Sequence, residues 1–174
     1  MRLFHVSEEP GIALFSPRSA KPGGPGEGRA LVWAIDEARL PNYLLPRDCP
    51  RVTWHWRETS AKADQAAFFS SPSTTHAIAI ERGWFRRCAE TTLYIYEFQP
   101  DGFALFDEIA GYYVSETEQK PTRRQVVCDV FAALIERGVE LRVIDDLWPL
   151  CAKIQASSLG WSMIRMANAR KEPC

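Results

Sequence analysis

Alternation of apolar and polar positions dominates the chain and predicts more strands than helices. Leu3-Phe4-His5-Val6 reads as a strand over residues 2–6, closed by the turn Ser7-Glu8-Glu9-Pro10-Gly11. Ile12 to Phe15 is a short apolar segment. Residues 19–29, SAKPGGPGEGR, hold little to bury and predict a mobile loop, either a lid or a surface excursion. Ala30 to Ile35 is an apolar strand that passes through Asp36 into a short amphipathic helix stopped by Pro46. Arg51 to Trp56 sets Val52, Trp54 and Trp56 against Thr53 and His55, the period of a strand.

Ser60 to Phe69 predicts a helix with Ser60 as its N-cap. His76 to Ile80, Leu93 to Phe98 and Gly111 to Ser115 are further strands, and Gly83 to Ala89 is a short helix between the first two. Thr122 and Gln125 have capping-box spacing and predict a helix carrying Val127, Val130, Phe131 and Leu134 at helical spacing, joined by Val126 and Ile135, with Cys128 as a small core residue. Gly138 ends it. Val139 to Ile144 is a strand, and Asp145 or Asp146 caps another helix with Pro149 in its first turn. Residues 158–168 fit strand or helix equally. Strands and helices do not alternate as a doubly wound sheet requires. The expected fold is therefore α+β, a mixed, mainly antiparallel, curved sheet with flanking helices, in a single domain over residues 1–174.

Composition agrees with a globular chain: 174 residues, 46 % apolar and 25 % charged. A net charge of −1 provides no basic field for nucleic acid or an anionic membrane. The first residues lack the uninterrupted apolar run of a signal peptide, and no segment is apolar enough to span a bilayer, so a cytoplasmic protein is expected. The five cysteines show neither CxxC nor CxH spacing, which argues against a disulfide framework and a structural zinc site. Cys49, close to Arg47, has the neighbourhood of a thiol of lowered pKa, or else closes a buried turn.

No phosphate loop, dinucleotide fingerprint or metalloprotease motif is present, and no metal is expected. Three polar groupings remain: His5 with Ser7 on one face of the first strand, Asn42, Tyr43, Arg47 and Asp48 after the short helix, and Tyr112, Tyr113, Ser115 and Glu116 along a late strand. Residues 3–9 and 30–51 are expected to form one wall of any site.

The run LFHVSEEPGI, with VWAIDEARLPNYLLPRDCPRV downstream, resembles an uncharacterised bacterial family of small proteins over nearly the whole chain. More distantly, the layout is similar to the ADP-ribosyltransferase superfamily. That resemblance implies a split sheet clamping NAD. His5 would hydrogen-bond the ribose beside Ser7, and Tyr43 would stack near the nicotinamide, with Tyr113 also on the cofactor. Arg18 or Arg47 would hold the pyrophosphate, and Glu116 would stabilise an oxocarbenium-like transition state. Glu97 competes with Glu116 for that role. Two alternatives stay open: a small-ligand-binding module without a convergent acid, and a protein-interaction or structural module exposing Trp84 or Trp148 in an apolar patch.

Overall fold

The computed structural model describes residues 1–20 and 23–171. Lys21 and Pro22 of the predicted loop, and the C-terminal cysteine Cys174, lie outside the described residues. The fold is α+β, as expected, with mainly antiparallel strands in two sheets and four α-helices among the described residues. Backbone contacts divide the chain into two compact units, residues 1–40 with 93–127, and residues 41–92 with 128–174.

The first unit is a seven-stranded sheet. β1 (Leu3–Ser7) lies between β3 (Ala30–Asp36) and β6 (Leu93–Phe98), with β8 (Tyr112–Ser115) and β7 (Ala104–Asp107) beyond β3 and β9 (Arg123–Val127) beyond β6. β2 (Arg18–Ser19) also pairs with β3, through Arg18 opposite Leu31. Leu3, Ala34, Tyr96 and Phe98 form a buried cluster. Phe15 meets Tyr96 and Phe98 edge-on at 5.2 and 5.0 Å, the arrangement that aromatic quadrupoles favour.

The predicted loop around residues 19–29 is closed by the Ala20 N–H donating to the Arg29 carbonyl. Gly26 sits there at φ +73°, where an added Cβ would lie 2.8 Å from Leu31 Cδ1, so it admits only glycine without displacement.

The capping-box reading is overturned. Arg123–Val127 is strand β9, paired antiparallel with β6 from Leu93 opposite Val127 to Glu97 opposite Arg123. The helix, α3, begins seven residues later than predicted from the Arg123 start, spanning Val130–Ile135 behind Asp129, whose carboxylate accepts the Ala132 N–H at 2.9 Å. The edge of β6 offered a ladder to β-branched Val126 and Val127, and that pairing outweighed a local cap signal. Cys128 is consequently exposed, not a core residue. Gly138 does end the segment, at φ +71°.

The second unit holds a four-stranded sheet in the order β10 (Glu140–Ile144), β5 (His76–Glu81), β4 (Arg51–His55), β11 (Gly160–Ile164). Only β5 and β10 run parallel in it. α1 (Lys62–Phe68), α2 (Phe85–Glu90), α3 and α4 (Trp148–Gln155) complete the unit. Every residue of β4 is buried, and Val52 and Trp54 join Ala77, Ala79, Leu147 and Ile154 in a buried cluster. The predicted amphipathic helix after Asp36 is only a 3-10 turn, Leu40–Tyr43. Ser60 does not cap α1. Its hydroxyl accepts the Arg57 N–H and donates to the Ser158 carbonyl, while Ala61 occupies the cap position. Residues left undecided by periodicity resolve into β11 and a 3-10 turn at Met166–Asn168.

Candidate functional site

The expected site residues divide between the units: His5, Ser7, Arg18, Tyr113 and Glu116 belong to the first, Tyr43 and Arg47 to the second. In the first unit β1 and β3 pair only at Leu3–Asp36 and Phe4–Ile35, and β2 takes over the same edge of β3 at Leu31 and Ala30. Between them the Trp33 carbonyl lacks a strand partner on that edge. His5 Nδ1 lies 2.9 Å from this oxygen, so Nδ1 carries the proton and donates it. Phe15 packs on the imidazole at 4.9 Å.

This hydrogen bond ties the imidazole to the backbone of β3. His5→Gln is expected to lower stability by about 1–3 kcal/mol, the range for a half-buried carbonyl losing its donor. Urea denaturation measures it. An unchanged midpoint would mean that the imidazole adds no stability and that its ring serves something else.

The other members of the set lie apart along their own units. Ser7 Oγ accepts the Glu9 N–H at 3.0 Å and shapes the turn after β1. Arg18 is exposed on β2. Tyr113 packs against the Leu3–Phe98 cluster opposite Ala34. Glu116 forms an ion pair with Arg29 at 2.9 Å on the surface, where such pairs contribute little. In the second unit the Tyr43 ring lies under the Arg51 guanidinium at 5.8 Å. Arg47 is exposed, and its carbonyl accepts from Arg165 Nε. Trp84 and Trp148 are half-buried, and Trp148 Nε1 donates to the Arg170 carbonyl.

The cationic neighbour of Cys49 is not Arg47 but Arg51, 2 % exposed. Contrary to the expectation of lowering, the Cys49 thiol is pushed above the usual range, first by its hydrogen bond with Cys88 and then by burial. Cys88 is the thiol that is lowered.

The first unit carries a shallow groove of about 270 Å³, lined by Gly11, Ile12, Tyr96, Pro121, Thr122, Arg123 and Arg124. Within this lining the Tyr96 hydroxyl donates to the Glu9 carbonyl at 2.7 Å and accepts the Ile12 N–H at 3.1 Å. These two bonds pin the turn containing Gly11, whose φ of +74° suits glycine. At the rim Arg124, opposite Tyr96 in the ladder, lies over the Tyr94 ring at 5.7 Å. Among the described residues no carboxylate pairs with Arg123 or Arg124. Sequence reasoning missed this arrangement because it assigned Arg124 to a helix. The available signal was Tyr94 and Tyr96 two residues apart, which share one face of a strand.

No curated protein and no solved structure matches the chain. No helix among the described residues is long and apolar enough to cross a membrane. A family model, described as a family of unknown function (DUF6886), matches residues 4–169, so the chain belongs to that family.

Proposed function

We propose that the protein is a small-ligand-binding module whose first unit takes a phosphate-bearing nucleotide, of the NAD or ADP-ribose kind, in the groove at Tyr96 and Arg124. The observation that supports this reading is the Arg124 guanidinium, which lines the groove over the Tyr94 ring with no carboxylate partner among the described residues. A planar guanidinium fixed by an aromatic face presents its N–H groups to a phosphate with little further loss of freedom. The distant resemblance to the ADP-ribosyltransferase superfamily selects the ligands to try. Under this reading His5 supports the sheet, and a transferase role for His5 and Glu116 is the stronger claim that His5→Gln also tests. The setting is cytoplasmic in this reading, in keeping with free Cys49, Cys88, Cys128 and Cys151.

Calorimetric titration of NAD, ADP-ribose and nicotinamide at millimolar concentration provides the test. NAD and ADP-ribose are expected to release heat and nicotinamide, lacking phosphate, to release none. Arg124→Gln should weaken binding by about tenfold to a hundredfold, the loss of one charge-assisted hydrogen bond. His5→Gln should leave it unchanged. Silence from all three ligands, or full binding by Arg124→Gln, would remove the reading.

A second reading, the protein-interaction module, is supported by a different edge. β7 is exposed throughout and carries Leu105 and Phe106, with Ile109 just beyond it. Sheet edges with apolar side chains and no covering element invite strand addition.

A further inference from the structure

The second unit contains a cluster of sulfur and buried charge that ligand binding in the groove does not use. Cys49, just before β4, and Cys88, on α2, are both 0 % exposed, and their Sγ atoms lie 3.8 Å apart. The Cys49 thiol also has the Pro50 carbonyl as an acceptor at 3.6 Å. Arg51 stands beside both sulfurs. Its Nη1 donates to the Pro46 carbonyl at 3.1 Å and the Cys49 carbonyl at 2.9 Å.

Arg51 Nε, by contrast, is buried with no hydrogen-bond partner, and no carboxylate pairs with the guanidinium among the described residues. A buried cation without a counter-charge is costly, and buried polar atoms are nearly always satisfied. A thiolate in the pair would supply the missing negative charge.

We infer that Cys49 and Cys88 form a dithiol–disulfide pair, oxidised by hydrogen peroxide with Cys88 as the attacking sulfur and Arg51 as its positioning cation. The two sulfurs are not equivalent. The sulfur–sulfur hydrogen bond favours the anion at Cys88, and Arg51 and Arg87 favour it as well. Burial and the nearby Glu81 disfavour the anion at Cys49. The Cys88 thiolate attacks one peroxide oxygen, forming an S–O bond as the O–O bond breaks. Hydroxide leaves and takes the Cys49 proton, becoming water. The Cys49 sulfur then attacks the Cys88 sulfenic acid: the S–S bond forms, the S–O bond breaks, and hydroxide leaves to collect a proton from solvent. Two electrons pass from the sulfurs to peroxide, which ends as two waters.

A separation of 3.8 Å exceeds a disulfide bond, for which sulfurs approach to about 2.05 Å, so side-chain rotation must bring them together. The full burial of both sulfurs also selects the oxidant by size, favouring compact peroxide over a glutathione disulfide.

The test uses the full chain carrying Cys128→Ser and Cys174→Ser, which removes the exposed thiol and the terminal one. With equimolar hydrogen peroxide, the folded protein should lose the mass of two hydrogens and yield a Cys49–Cys88 cross-linked peptide. This should form about tenfold faster than in the same chain unfolded by urea, since an ordinary thiol is mostly protonated at neutral pH. Glutathione disulfide should produce no mixed disulfide with the folded protein over the same time. Cys49→Ser should stop at a sulfenic acid on Cys88, trapped by dimedone, whereas Cys88→Ser should leave Cys49 unlabelled. The inference is overturned if the folded chain gives no Cys49–Cys88 peptide, or gives it no faster than in urea. The chain that retains both cysteines decides this even if a serine variant does not fold.

Discussion

Val130→Asp is expected to abolish cooperative folding of the second unit, while its neighbour Phe131→Asp yields a folded, less stable protein. Val130 is 0 % exposed at the start of α3. A carboxylate there would be desolvated without a partner, at a cost of several kcal/mol, a large part of a total stability of roughly 5–15 kcal/mol. The N-terminal end of the helix returns at most about 1 kcal/mol of that to an anion. Asp129, already in the cap position, repels a second charge. Phe131 instead stacks on Phe85 at 4.9 Å with an interplanar angle of 20°, and Phe85 is itself exposed. Its loss removes an aromatic pair of about 0.5–1.5 kcal/mol and some apolar burial, with no enclosed charge left behind. Solubility and thermal melting rank the two variants. A cooperative melt for Val130→Asp, with Phe131→Asp unfolded, would show that α3 buries a different face.

Trp54→Ala is expected to cost about 3–5 kcal/mol, the range for deleting a large aromatic side chain from a core. Trp54 is 0 % exposed in β4, with the Arg142 guanidinium over its ring at 5.0 Å. Its Nε1 donates to the Phe68 carbonyl at 3.1 Å, but Arg142 Nη2 donates to the same oxygen at 2.7 Å. The truncation therefore leaves no orphaned acceptor, and the loss is chiefly a cavity plus a cation–π contact. Trp54→Phe, which keeps most of the volume, should lose well under half as much. Denaturant midpoints measure both. Equal losses for Phe and Ala would mean that the indole N–H, and not packing, carries the effect.

The same comparison shows where local pattern suffices. β1, β3, β4, β5, β6, β8 and β10 were legible because each alternates, or runs apolar, between turn residues. β7 was not, since all of it is exposed and burial left no mark on its sequence. The segment Arg123–Val127 was misread because Thr122 and Gln125 have the spacing of a cap, and a cap signal is worth only about 1 kcal/mol. The ladder with β6 ties that segment down along its whole length.

Among the site residues, the sequence left His5 between a ligand contact and the structural task of bonding a backbone carbonyl in the sheet. That task depends on the Trp33 carbonyl, which is left open where β1 and β2 share one edge of β3. Cys49 was marked too, but beside the wrong arginine. Arg47 and Arg51 each stand two residues from Cys49 in the chain, but Arg47 is exposed, whereas β4 carries Arg51 inward and α2 brings Cys88 alongside.

By itself, then, the sequence determined the α+β class and most strand positions, because side-chain period is a property of consecutive residues. Tertiary structure alone decided the strand order, the edge position of β9 with Arg124 over Tyr94, and the meeting of Cys49 with Cys88 and Arg51. Those features join residues far apart in the chain, and their free energy comes from burial and pairing that no local window contains.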